Sequence, residues 1–244
     1  MRAIIRIGTG VLLSVFFLTL YSCDESFFNC LRGNGIIVTE ERSLDDIYGV
    51  ISEGDYEVTV IIDSASKIEV EWDENLIPYI STRISGEKLI IDQGTRKCLR
   101  SSYPTRVYVY TPFINLLRLT GSGYIICDDL YTDNLKIELT GSGYIDLRNL
   151  DALTVDATIT GSGEIVLEGI AEQSEFTISG SGDFEAFDLI QEICIAVISG
   201  SGNMEVYASN LLDAIISGSG NIYYMGNARV IAHISGSGSV INSN

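Results

Sequence analysis

From residue 117 onward, apolar residues occupy alternate positions in short runs, and the runs recur in a fixed phase about seven Gly-Ser-Gly triplets. The triplets begin at Gly121, Gly141, Gly161, Gly180, Gly200, Gly218 and Gly236. Two positions before them stand Leu119, Leu139, Ile159, Ile178, Ile198, Ile216 and Ile234, and four before stand Leu117, Ile137, Ala157, Phe176, Ala196, Ala214 and Ala232. Two positions after them stand Ile125, Ile145, Ile165, Phe184, Met204, Ile222 and Val240. The intervening column three before is mixed: Arg118, Glu138, Thr158, Thr177, Val197, Ile215 and His233. Such period-2 alternation predicts a strand on each side of the triplet, with one face buried and one facing solvent.

The unit is therefore strand, Gly-Ser-Gly, strand and a polar bend, repeated about every 20 residues. Glycines on either side of one small residue suit a tight reversal with positive φ and let successive turns stack without side-chain collisions. A flexible linker would not hold ordered strands in constant phase on both flanks. One unit cannot enclose its own apolar columns, so the units must stack as coils, with equivalent residues about 4.8 Å apart. The predicted fold is all-β, a single-stranded β-helix over residues 117–244 with the triplets as corners. The triplet interval shortens toward the C-terminus, which predicts a tapered last coil, and its unprotected edge offers a surface for self-association.

Residues 35–116 lack the triplet but are rich in alternating segments: "YEVTVII", "SKIEVEW", "EKLIIDQ" and "TRVYVYT". They are expected to form wider, irregular first coils that cap and nucleate the stack. The coil register also bears on the cysteines. Cys127 and Cys194 fall on inward columns three to four coils apart, roughly 15–19 Å by strand spacing, and a disulfide needs Cα atoms within about 7 Å. These two are expected to stay reduced and buried. Cys30 and Cys98 lie outside the repeats in polar surroundings and are the pair expected to close a loop.

Residues 1–22 read as a processing segment. Arg2 and Arg6 precede the apolar "IGTGVLLSVFFLTL", which suits a secretory signal and is short for a membrane span. The following Leu20-Tyr21-Ser22-Cys23 resembles a lipobox, in which cleavage precedes the cysteine and its thiol is acylated. Cys23 would then anchor the chain to a membrane by lipid alone, through a linker of residues 23–34. The implied location is the cell envelope, as an outer-membrane, surface-exposed lipoprotein.

The chain carries 33 acidic residues against 15 Lys and Arg, a formal charge of -18, which argues against nucleic acid as a partner. From Asp151 onward there are 12 acidic residues and one basic one, Arg229. Candidate chemistry is sparse. His233 is the single histidine and sits on an outward column, so no His-based metal set or Ser-His-Asp group can be assembled. The triplet serines read as spacers, and no phosphate loop or glycine-rich calcium repeat occurs. The outward columns should set Glu164 beside Asp183, and Glu185 beside Glu205, gathering four carboxylates on one face. That face could hold Ca²⁺ weakly through oxygen ligands; no other cofactor is expected. Paired carboxylates also cut glycosidic bonds, which makes a polysaccharide-cleaving β-helix the alternative to a binding module, although no basic residue accompanies them.

The lipobox, the segment "VYVYTPFINLLRLTGSG" and the serial "SGSG" corners together resemble the auto-transporter adhesin, head GIN domain family of Bacteroidetes and relatives. The acidic Asp24-Glu25 behind Cys23 is similar to an export signal of surface lipoproteins in that phylum. The resemblance covers residue 35 to the C-terminus and implies a right-handed, pectin-lyase-like β-helix. It also implies a non-catalytic adhesion or structural role toward a host or bacterial surface glycan or protein. It carries no active-site motif and assigns no functional residue.

Overall fold

In the computed structural model the described residues are 30–244, so Cys23 and the expected signal segment, residues 1–22, lie outside them. Strands account for 69% of the structure and helix for about 1%, and parallel coils stack into a β-solenoid of about 6 turns. Among the described residues the helix is one 3-10 turn at Ile77–Tyr79, with Pro78 in its first positions.

Each expected apolar column is a continuous rung. Leu119, Leu139, Ile159, Ile178, Ile198, Ile216 and Ile234 are partners in successive parallel pairings. On the far side of the corner the column from Ile125 to Val240 is likewise in register. Nearly all of these side chains are fully buried, and Phe176 stacks on Phe184 at 5.0 Å. The parallel ladder thus converts a periodic sequence into a core one coil wide.

The corners explain the triplets. The leading glycine adopts a positive φ, +128° at Gly161 and +150° at Gly200. The corners also bond to one another: Ser162 N donates to Gly141 O at 2.8 Å and Ser201 N to Gly180 O at 2.8 Å. Coils approach so closely here that a Cβ on Gly200 would collide with the Gly180 carbonyl, and one on Gly202 with the Gly182 carbonyl. A second bend is built by Asp129 and Asn149, both left-handed at φ 58° and 54°, with Asn149 Nδ2 donating to Asp129 Oδ1 at 3.1 Å.

The coil ladder reaches further upstream than the triplets. Gly49–Gly54 pairs in parallel with Leu116–Gly121, setting Gly54 against Gly121, and Glu57–Ile62 pairs with Tyr124–Asp128. Gly54, at φ +152°, turns this corner as Gly54-Asp55-Tyr56. Lys88–Gln93 and Arg106–Thr111 continue both walls outward, again in parallel. Beyond them the pattern departs from a set of wider coils. Ile37–Ser43 pairs antiparallel with Lys67–Asp73, which pairs antiparallel with Arg106–Thr111, and Ile80–Ile84 pairs antiparallel with Lys88–Gln93. Antiparallel strands need only short connections and finish a parallel edge locally. Trp72, Leu76 and Ile77 are buried beneath this cap. Cys30 and Cys98 form a disulfide with Cα atoms 4.5 Å apart, next to the short parallel pair of Leu31–Arg32 and Leu99–Arg100.

The opposite end has no such cover among the described residues. Ile216 is fully buried, whereas Ile234, its partner on the last coil, is 46% exposed. Cys127 and Cys194 are free and buried, and burial pushes both thiols up to about 12.

Candidate functional site

The strands that follow the corners form one wall whose outward side chains lie in straight rows. The first row runs Tyr124, Tyr144, Glu164, Asp183; the second runs Ile126, Asp146, Val166, Glu185, Glu205, Tyr223. Glu164 is therefore the lateral partner of Asp183, and Glu185 that of Glu205, and the two pairs meet diagonally. The Glu164 carboxyl is raised above its ordinary value, first by burial, then by a hydrogen bond with Glu185, then by the negative charges of Glu185 and Asp183. Burial, with the charges of Glu185 and Asp183, raises Glu205 as well.

Asp183 is engaged differently from the other three. Its Oδ1 accepts from Asn203 N at 2.8 Å and from Asn203 Nδ2 at 3.2 Å. Asn203 Oδ1 in turn accepts from Asn221 N at 3.2 Å, and Asn221 Oδ1 from Ser239 N at 3.1 Å. The position after the triplet is thus a polar ladder that ties the last four coils together, and Asp183 is its first rung. Among the described residues no group of three or more His, Cys, Asp or Glu side chains is disposed to hold a metal ion. Side chains on a flat ladder stand roughly perpendicular to it, which lines carboxylates up side by side without closing them around a point. His233 is exposed on the wall before the corner, beside Ile215.

Toward the cap the same wall becomes aromatic. Tyr124 and Tyr144 meet edge to face at 6.3 Å, and Tyr144 Oη donates to Asp146 Oδ2 at 3.3 Å. Next to Tyr124 lies an open pit of about 310 Å³, lined by Glu57, Val58, Thr59, Arg106, Tyr108, Tyr124 and Ile126. Thr59 is a short side chain whose lateral partners are Tyr108 on one coil and Ile126 on the next, so the wall dips there. Arg106 is held by Glu57 Oε2 at 3.1 Å and Glu71 Oε1 at 2.9 Å. Tyr124 and Tyr144 each directly follow a triplet, so repeat phase alone sets one over the other, but it does not show the pit. Its walls come from strands 49 and 67 residues apart (57 to 106, 57 to 124), and alternation says which way a side chain points without naming its lateral neighbour.

A β-solenoid with one glycine corner per coil and rows of exposed side chains defines the class of this protein, and no helix among the described residues is long and apolar enough to span a membrane. The chain belongs to the family described as "Putative auto-transporter adhesin, head GIN domain", which matches residues 48–228. Among solved structures it is similar to a "putative adhesin" from Bacteroides fragilis, with 21% identity and a TM-score of 0.83 over 87% of this chain and 99% of that one. It is also similar to a "putative lipid binding protein" from Parabacteroides distasonis, with 25% identity and a TM-score of 0.73 over 88% and 100%. A "putative adhesin" from Parabacteroides merdae shares 24% identity with a TM-score of 0.72 over 88% and 99%. No match was found among curated proteins. The family supports a non-catalytic, adhesion-like role.

Proposed function

We propose that this protein is a cell-surface binding module, held to the outer membrane by a lipid on Cys23 and contacting its ligand through the wall that follows the corners. The observation that carries the reading is the wall itself. It is one continuous face of exposed Tyr124, Ile126, Asp183 and Glu185 with half-buried Tyr144, Glu164 and Glu205, broad and open, whereas catalysis calls for matched groups in a water-excluding site. Self-association through the last coil, where Ile234 and Ile241 are exposed, belongs to the same reading, and Ca²⁺ enters it only as a weak ligand of individual carboxylates, which enclose no site for it. Purified residues 30–244 incubated with host and bacterial glycans and surface proteins, with and without Ca²⁺, should retain a ligand and release no product.

Glycan cleavage is the second reading, and one observation favours it: Glu164 stands beside Asp183 on the next coil, and burial with the neighbouring negative charges raises its carboxyl above the ordinary value, as an acid paired with a carboxylate would require. Product formation abolished by Glu185→Gln or Asp183→Asn would establish it in place of the binding module.

A further inference from the structure

We infer that the pit over Thr59 is a subsite for a neutral hexopyranose unit of a glycan, an assignment that rests on the binding-module reading above. One rim is apolar, made by Ile126 and the ring of Tyr124, with Tyr108 opposite and the short Thr59 side chain between them, while the Val58 side chain beneath is turned into the core. Tyr124 and Ile126 are 46% and 38% exposed, an apolar surface that stands open beside charged groups. The hydroxyls of Thr59, Tyr108 and Tyr124 make no hydrogen bond among the described residues, while the polar groups at the far rim, Glu57 and Arg106, are paired with each other.

Each feature narrows the ligand. Arg106 already faces two carboxylates, Glu57 and Glu71, so the cluster sums to one negative charge and repels an anionic ligand, while both carboxylates are engaged by the guanidinium and neither is left free to pair with a cationic one. The ligand that fits is uncharged. The strands beneath the pit are paired on both sides, Glu57–Ile62 by Arg106–Thr111 and Tyr124–Asp128, and Tyr124–Asp128 also by Tyr144–Gly161. An extended peptide therefore finds no strand edge to join. What remains is a flat molecule with an apolar face for the tyrosine rings and a rim of hydroxyls for the free Thr and Tyr hydroxyls and the fixed Glu57–Arg106 pair. A pyranose has that division, with C–H groups on its faces and O–H groups around its edge. At about 310 Å³ the pit lies at the small end of ligand clefts, about 300–1,000 Å³, which suits a single unit of a longer chain lying along the wall.

The test is saturation-transfer NMR and calorimetry of residues 30–244 against neutral gluco-, galacto- and manno-oligosaccharides, with a sialylated oligosaccharide and heparin as charged probes. At least one neutral oligosaccharide should bind, with affinity lowered tenfold or more by Tyr124→Ala and by Thr59→Tyr, which fills the dip, and unchanged by Thr154→Tyr on an exposed strand elsewhere. Should Thr59→Tyr fail to fold, Tyr124→Ala and Tyr108→Ala decide, since each only shortens a side chain on the solvent face. Neutral-glycan binding that ignores all three pit variants overturns the subsite and leaves the binding module standing. Binding of the charged probes alone, or of none of the oligosaccharides, overturns the ligand class. Release of shortened oligosaccharides would instead overturn the binding-module reading itself.

Discussion

At the scale of single residues, the two glycines of a triplet are needed for separate reasons. Gly200 has φ +150°, and an added Cβ would strike the Gly180 carbonyl; Gly202 has no such φ, but its Cβ would strike the Gly182 carbonyl. Gly200→Val should therefore cost at least about 3 kcal/mol, from left-handed strain and the clash together. Gly202→Ala should also be strongly destabilising, whereas Ser201→Ala should lie within about 0.5 kcal/mol, because Ser201 is exposed and contributes its backbone N–H. Urea midpoints for the three variants check this ordering. The reverse effect is expected at Gln191, which is 1% exposed and has neither amide atom hydrogen-bonded. An unpartnered buried amide costs about 1–3 kcal/mol, so Gln191→Met should raise stability by about 1–2 kcal/mol. The triplets were legible in the chain because each is a local, repeated departure from alternation. The hydrogen bonds of the Asp183–Asn203–Asn221 ladder were not, because repeat phase sets side chains 18 or 20 residues apart side by side without saying which of them bond.

At the scale of elements, the parallel rows determine which charges meet, and the row register makes the pH response specific. Glu164 and Glu205 titrate above their ordinary range in the folded state. A carboxyl of this kind binds its proton more tightly folded than unfolded. Its contribution to stability is full below the unfolded value, about 4.3, and is lost as pH rises through the folded one. Glu164→Gln should therefore raise the thermal midpoint relative to the native chain at pH 7, with the gap closing near pH 4. Parallel melting curves at both pH values would show that the Glu164–Glu185 contact is not felt. The adjacency of these carboxylates was readable from the repeat phase alone, because a parallel ladder copies sequence period into lateral neighbours. The antiparallel cap was not readable. Its strands alternate like the coils, and strand direction is set by connections and by the need to finish an open edge, neither of which appears in a period-2 pattern. The corner at Gly54 was hidden for another reason: Asp55 and Tyr56 replace the serine and second glycine, so only the leading glycine, the residue that the positive φ demands, survives. The Cys30–Cys98 bridge ties the start of the described chain to this cap across 68 residues. Cys98→Ser should cost about 2–4 kcal/mol, observable as a lower urea midpoint and as faster proteolysis within the cap.

At the scale of the whole molecule, the solenoid is polarised. Buried Trp72 and Ile77, antiparallel strands and a disulfide close one end, and the last coil carries Val230, Ala232, Ile234 and Val240 on the same inward columns with one side uncovered. Charge is polarised as well, since none of the 33 acidic side chains follows Asp213. In a stack where each coil touches only its neighbours, stability is a sum of coil and interface terms, so identical substitutions should cost different amounts according to the coil that holds them. Ile216 and Ile234 are adjacent members of one column, the first fully buried and the second 46% exposed. Ile216→Ala removes methyl groups packed above and below and should cost about 2–4 kcal/mol, while Ile234→Ala should cost under about 1 kcal/mol. The same gradient should appear without mutation in native-state hydrogen exchange. Amides of Arg229–Gly236 and Ser239–Asn242 should exchange first, and protection should rise coil by coil toward Leu116–Gly121 and the cap. Uniform protection across all coils, together with equal costs at Ile216 and Ile234, would mean that the last coil is covered in solution. The surface that covers it would then have to be another copy or another segment of polypeptide, which sedimentation at rising concentration would distinguish.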